Sequence, residues 1–151
     1  MKKMIRTISL ILIFALALSL TACSSYGKVE KALKGIGYAV VENSNEAENY
    51  TKDTEIPVTA HILTNKDSLE GIDKAKTNVV VVLEFKATED LVNFYKESNA
   101  FQGLIEDAKE DGTIEEIYNA LAENGFVNGN CIVISTNPVA MLEVCEAVKN
   151  A

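Results

Sequence analysis

The sequence predicts one small α/β domain, a sheet of three to four strands covered by amphipathic helices, with a mixed α+β arrangement as its close variant. Three observations carry this. Residues 79–85 (Val-Val-Val-Val-Leu-Glu-Phe) form an almost unbroken apolar run of strand length, which implies burial on both faces and a central place in the sheet. Residues 131–135 (Cys-Ile-Val-Ile-Ser) form a second such run. Residues 79–96 and 131–149 each read as strand, polar turn and amphipathic helix, the pattern of helices layered on a sheet. Strands joined through helices are most simply parallel. No strand order follows from the pattern.

Taken in order, Tyr26, Val29, Leu33 and Ile36 recur at helical spacing, and Gly35 and Gly37 end that helix. Residues 38–41 read as a short strand. Residues 42–55 are rich in Asn, Glu, Ser and Thr and form the longest loop. Ile56, Val58, Ala60 and Ile62 alternate with polar residues, and Pro57 points to an edge strand. Leu69, Ile72 and Ala75 suggest a short helix over 68–76. After the valine run, Thr88 suits an N-cap with Glu89 and Asp90 in the first turn. Leu91, Phe94, Tyr95 and Ser98 share a face of that helix, and Phe101, Leu104, Ile105 and Ala108 mark a second. Asp111-Gly112 turns the chain. Thr113-Ile-Glu-Glu116 is a capping box, opening a helix with the stripe Ile114, Ile117, Tyr118 and Leu121. Asn124-Gly125-Phe126 supplies its C-terminal cap. Residues 128–130 form a turn feeding the strand 131–135. Pro138 begins a last helix whose buried stripe is Met141, Leu142, Cys145 and Val148.

The first 25 residues carry a different message. Lys2, Lys3 and Arg6 precede an apolar run from Ile8 to Leu20, thirteen residues long. That suits the core of a secretory signal and falls short of the about 17–25 residues of a membrane-spanning helix. Leu20-Thr21-Ala22-Cys23 and Ser24-Ser25 follow at once. This order of features resembles the signal peptide and lipobox of bacterial lipoproteins. The resemblance implies cleavage before Cys23, a diacylglycerol on the Cys23 thiol, and attachment to the cell membrane facing out of the cytoplasm. In a two-membrane bacterium the outer membrane is the other destination. The domain organisation expected is a cleaved signal over 1–22, a lipidated tether over 23–27 and one globular domain over 28–151. Two acyl chains anchor a protein stably, whereas a single chain is marginal.

Loss of the signal leaves 129 residues, enough for one domain. It also removes three cations, so the mature chain has 11 lysines, no arginine and 22 acids, a net charge of −11 against −8 for the precursor. Nucleic acid and anionic lipid headgroups both need clustered cations, and this composition argues against either as a partner. An excess of acid keeps an exported domain soluble.

Catalytic and metal-binding constellations are scarce in the sequence. His61 is the single histidine. It lacks the companion ligands of a metal site, and no Gly-x-Ser-x-Gly elbow is present. It reads as a surface or edge-strand residue. Cys131 and Cys145 sit seven residues either side of Pro138. If helix folds back on strand, their axial positions differ by about 12 Å, beyond the about 7 Å a disulfide allows between Cα atoms. They read as two buried thiols, without a histidine near in sequence to make either a nucleophile. The acidic run 106–116 fails as a calcium loop: counting from Asp107, Lys109 and Tyr118 occupy positions three and twelve, where carboxylates belong. Gly35-Ile-Gly37 follows a helix and lacks the third glycine of a phosphate-binding turn.

The expectation is therefore a lipid-anchored, extracytoplasmic domain that binds a protein or small ligand without catalysis, cofactor or metal. The loop over 42–55 is the place to look for contact. The alternatives are a small envelope enzyme built from carboxylates and hydroxyls, or an inhibitor or structural component of the envelope.

Overall fold

The computed structural model describes residues 25–41, 54–65, 78–98 and 112–151. Among them are five strands and four helices: α1 (Ser25–Gly35), β1 (Tyr38–Val40), β2 (Val58–Asn65), β3 (Val79–Phe85), α2 (Thr88–Glu97), α3 (Ile114–Glu123), β4 (Val127–Asn128), β5 (Cys131–Ser135) and α4 (Pro138–Lys149). The strands form one sheet in the order β1-β2-β3-β5-β4, with every neighbouring pair antiparallel.

β3 is central, and its sequence shows why. Val81, Leu83 and Phe85 point to one face and Val80 and Val82 to the other, all buried. On the first face they meet Leu91, Val92, Phe94 and Tyr95 of α2 and Ile117 and Leu121 of α3. On the second they meet Val29 and Leu33 of α1 and Val144 and Val148 of α4. The result is a sheet with two helices on each side, a mixed α/β domain of three layers. Fully burying each such aliphatic side chain contributes about 1.5–3 kcal/mol.

The sheet has five strands where three or four were expected, and β3 and β5 are antiparallel where parallel was the simplest expectation. One short element explains both differences. β4 is only two residues long and hairpins directly into β5, with Asn128 opposite Cys131. β4 therefore runs in the same direction as β3, as a connection through helices favours. The hairpin then reverses the chain and lays β5 between them.

Four further expectations are corrected. β2 lies between β1 and β3, not at an edge; Pro57 precedes its first residue, so no ladder hydrogen bond is lost. The N-cap of α2 is Ala87, without a side-chain bond, and Thr88 is the first helical residue. The buried stripe of α4 is Ala140, Val144 and Val148, while Leu142 is 79% exposed. Apolar residues occur all round α4, so its sequence does not single out one face. The structure selects the small ones, and Met141 instead accepts a hydrogen bond from Ser135 N–H through its Sδ at 3.1 Å. Ser25, Tyr26 and Gly27, assigned above to the tether, form the first turn of α1.

The remaining termini behave as read. Thr113 Oγ1 accepts from Glu116 N–H, and the Glu116 carboxylate accepts from Thr113 N–H, closing the capping box. After α3, Phe126 N–H bonds Leu121 O at 2.9 Å and Gly125 N–H bonds Ala122 O at 3.0 Å. These are the two bonds of a Schellman cap. Gly125 has a φ of 78° and lies so close to α4 that a Cβ there would overlap the Cys145 carbonyl. Asn137 caps α4 by accepting from Val139 N–H at 3.0 Å, with Pro138 next in sequence. The expected helices over 68–76 and 101–108 lie outside the described residues.

Candidate functional site: a tyrosine, histidine and glutamate cluster under helix α1

The sheet face under α1 and α4 carries a histidine, a glutamate and a cysteine. Residues directly opposite in an antiparallel pair share a face. Thr59 faces Glu84, His61 faces Val82, and Glu84 faces Cys131. His61 and Glu84 are therefore diagonal neighbours, a separation that two long side chains can span. His61 Nε2 lies 3.1 Å from Glu84 Oε2. A carboxylate can only accept, so Nε2 is the donor in this contact.

α1 completes the cluster from above. The Tyr26 ring stacks on the His61 ring with centroids 3.5 Å apart and planes 14° from parallel. The Tyr26 hydroxyl is hydrogen-bonded to Glu30, one turn further along, and burial and then the charge of Glu30 push its pKa up to about 12. Glu30 also pairs with Lys34. Beneath, the Cys131 thiol is pushed up to about 12, first by burial and then by Glu84. At neutral pH the phenol and the thiol are both protonated. The His61 and Glu84 side chains are 22% and 25% exposed, so solvent reaches the pair.

The location is set by the β4–β5 turn. Gly129 has a φ of 57°, and Ser25 sits against it where a Cβ would overlap both Oγ and Cβ of the serine. Tyr118 Oη donates to Gly129 O at 2.9 Å. Phe85 N–H bonds Asn130 O at 2.9 Å, and the Asn130 side chain donates back to Phe85 O. The start of α1, the end of β3 and the hairpin are thus tied together beside the cluster.

Of the residues singled out in the sequence, His61 is placed with two partners that spacing alone did not supply. The signal available was Glu84, a charge inside a strand otherwise buried on both faces, which calls for a partner. Cys131 and Cys145 are both free thiols, and burial pushes the latter up to about 11. Tyr118, at the failed calcium-loop position, serves the turn; residues 107–111 lie outside the described residues. So do Cys23 and residues 42–53 of the expected binding loop. Among the described residues no cluster of three His, Cys, Asp or Glu could hold a metal ion, and no helix is long and apolar enough to cross a membrane.

Compared with known protein families, curated proteins and solved structures, the chain matches none.

Proposed function

We propose that the chain is an exported lipoprotein, cleaved before Cys23 and held to a membrane by lipid on that cysteine, whose folded domain is a non-enzymatic binding module. The observation that carries this reading is Leu20-Thr21-Ala22-Cys23, after a charged start and a thirteen-residue apolar run, just ahead of a folded domain. The binding role is supported by the Tyr26–His61–Glu84 cluster. It offers a partner an aromatic edge, an imidazole and carboxylates on a rigid sheet. Both thiols are held protonated by burial, which makes them poor nucleophiles. The mature charge of −11 disfavours nucleic acid as the ligand.

Replacing the cysteine tests the anchor. Cys23→Ser should shift the protein from the membrane fraction to the soluble fraction or the medium, with the domain still folded. Retention in the membrane would contradict the reading. For binding, native mass spectrometry of gently extracted protein should show a non-covalent adduct that is lost in Tyr26→Ala; an adduct unchanged by that substitution would place recognition elsewhere.

One observation favours a second reading. Glu84 holds His61 as a carboxylate holds the imidazole of a general base, as a small envelope enzyme would need. That reading requires turnover of some substrate, abolished by His61→Gln and reduced by Glu84→Gln.

A further inference from the structure

The start of α1 limits how the domain can stand on a membrane. Only Ser24 separates Cys23 from the first helical residue, Ser25. Even fully extended, the two residues from Cys23 to Ser25 span about 7 Å. Ser25 is not a loose end. It is seated on Gly129, and that turn is bonded to the end of β3 and to Tyr118 of α3. One turn further, Val29 and then Leu33 are fully buried against the sheet. A lipid on Cys23 is therefore coupled to the body of the domain with almost no slack.

This fixes which end approaches the bilayer. Ser25, the Gly129–Asn130 turn and the β3–α2 corner at Lys86 lie together. The other end carries Asn78, the Ser135–Asn137 corner and the first turn of α4, where Thr136 N–H bonds Val79 O. The seven-residue strand β3 separates the two ends by about 20 Å, at roughly 3.3 Å per residue.

We infer that this end is a membrane-facing surface, resting on the phospholipid headgroup layer, and that the Tyr26–His61–Glu84 cluster opens beside that layer. The inference rests on the lipoprotein reading above. Its partner is the bilayer itself, held close by the short tether and not recognised through a basic patch.

The chain contains no tryptophan, so one introduced tryptophan reports on a single position. Lys86 and Val139 are both exposed, at the near and far ends respectively. The lipidated mature protein, carrying either Lys86→Trp or Val139→Trp, is reconstituted in phosphatidylcholine–phosphatidylglycerol vesicles with a headgroup-linked nitroxide lipid. Intact mass is measured on the same samples. The expected result is several-fold stronger quenching of Lys86→Trp than of Val139→Trp. Equal quenching, or stronger quenching at Val139→Trp, in protein whose mass includes diacylglycerol would overturn the orientation and leave the lipoprotein reading standing. A mass without lipid would overturn that reading and the orientation with it.

Discussion

The two faces of the sheet are built to different specifications. Under α2 and α3 the core is built of apolar side chains, Ile62, Val81, Leu83, Phe85 and Ile132 meeting Leu91, Phe94, Ile117 and Leu121, with Thr64 and the Tyr95 hydroxyl also buried there. Under α1 and α4 the valines of β3 and β5 give way, at one end, to His61, Glu84 and Cys131, with Tyr26 above them. The first face can be explained by stability alone. The second places a carboxylate and an imidazole where aliphatic side chains would pack at lower desolvation cost. His61 and Glu84, kept on one face at the end nearest the expected anchor, mark where recognition is to be sought, and the opposite face is their support.

Substitutions should reveal this asymmetry by size. Leu83→Ala, fully buried on the apolar face, should cost about 2–5 kcal/mol of unfolding free energy. The denaturant midpoint would fall with little change in slope. A loss below that range would mean that the apolar face is not the main support. Gly129→Ala should cost about 1–3 kcal/mol, because the new methyl group forces Ser25 off the turn. It should also speed amide exchange in the first turn of α1 more than in α2, and uniform acceleration would contradict the proposed tie.

Glu84→Gln should be the mildest of the three, at about 1 kcal/mol or less, because the pair is partly exposed and glutamine can still bond His61. Its signature is electrostatic. Glu84 raises both the Cys131 thiol and the Tyr26 hydroxyl, so the variant should bring both down, and thiol and phenol absorbance titrations read this directly. Unchanged titrations would separate Glu84 from the cluster.

The alkaline limit follows from the same groups. Tyr26 and Cys131 have folded-state values of about 12 against ordinary values of 10.0 and 9.0. The unfolded chain therefore gives up these protons first as pH rises. Their contribution to stability is fully present below pH 9 and is lost progressively as pH climbs toward 12. Thermal unfolding should move to lower temperature across that window and stay flat for these groups at neutral pH. A midpoint insensitive to pH from 9 to 11 would contradict the burial of both groups.

The layered fold was legible because its signals are local. A continuous valine run, a capping box at Thr113 and a glycine after Asn124 each report on a few neighbouring residues. What stayed hidden depended on packing between distant segments. β4 is two residues long, too short for a periodicity, and the antiparallel placement of β5 depends on it. Helix α4 is apolar on several sides, so only its seat against Val29, Leu33 and Val133 selects Ala140, Val144 and Val148. The site was half legible. His61 could be named from the sequence, but its partners lie 35 residues before and 23 after it, at Tyr26 and Glu84. Strand register and the seating of α1 bring them together.

The most direct test of the account is the intact mass of the protein extracted from its own membranes under denaturing conditions. The expected mass is that of residues 23–151 plus a diacylglycerol, with Cys131 and Cys145 retaining their hydrogens. The mass of the full, unmodified 151-residue chain would contradict the cleavage, the anchor and the membrane-facing end together.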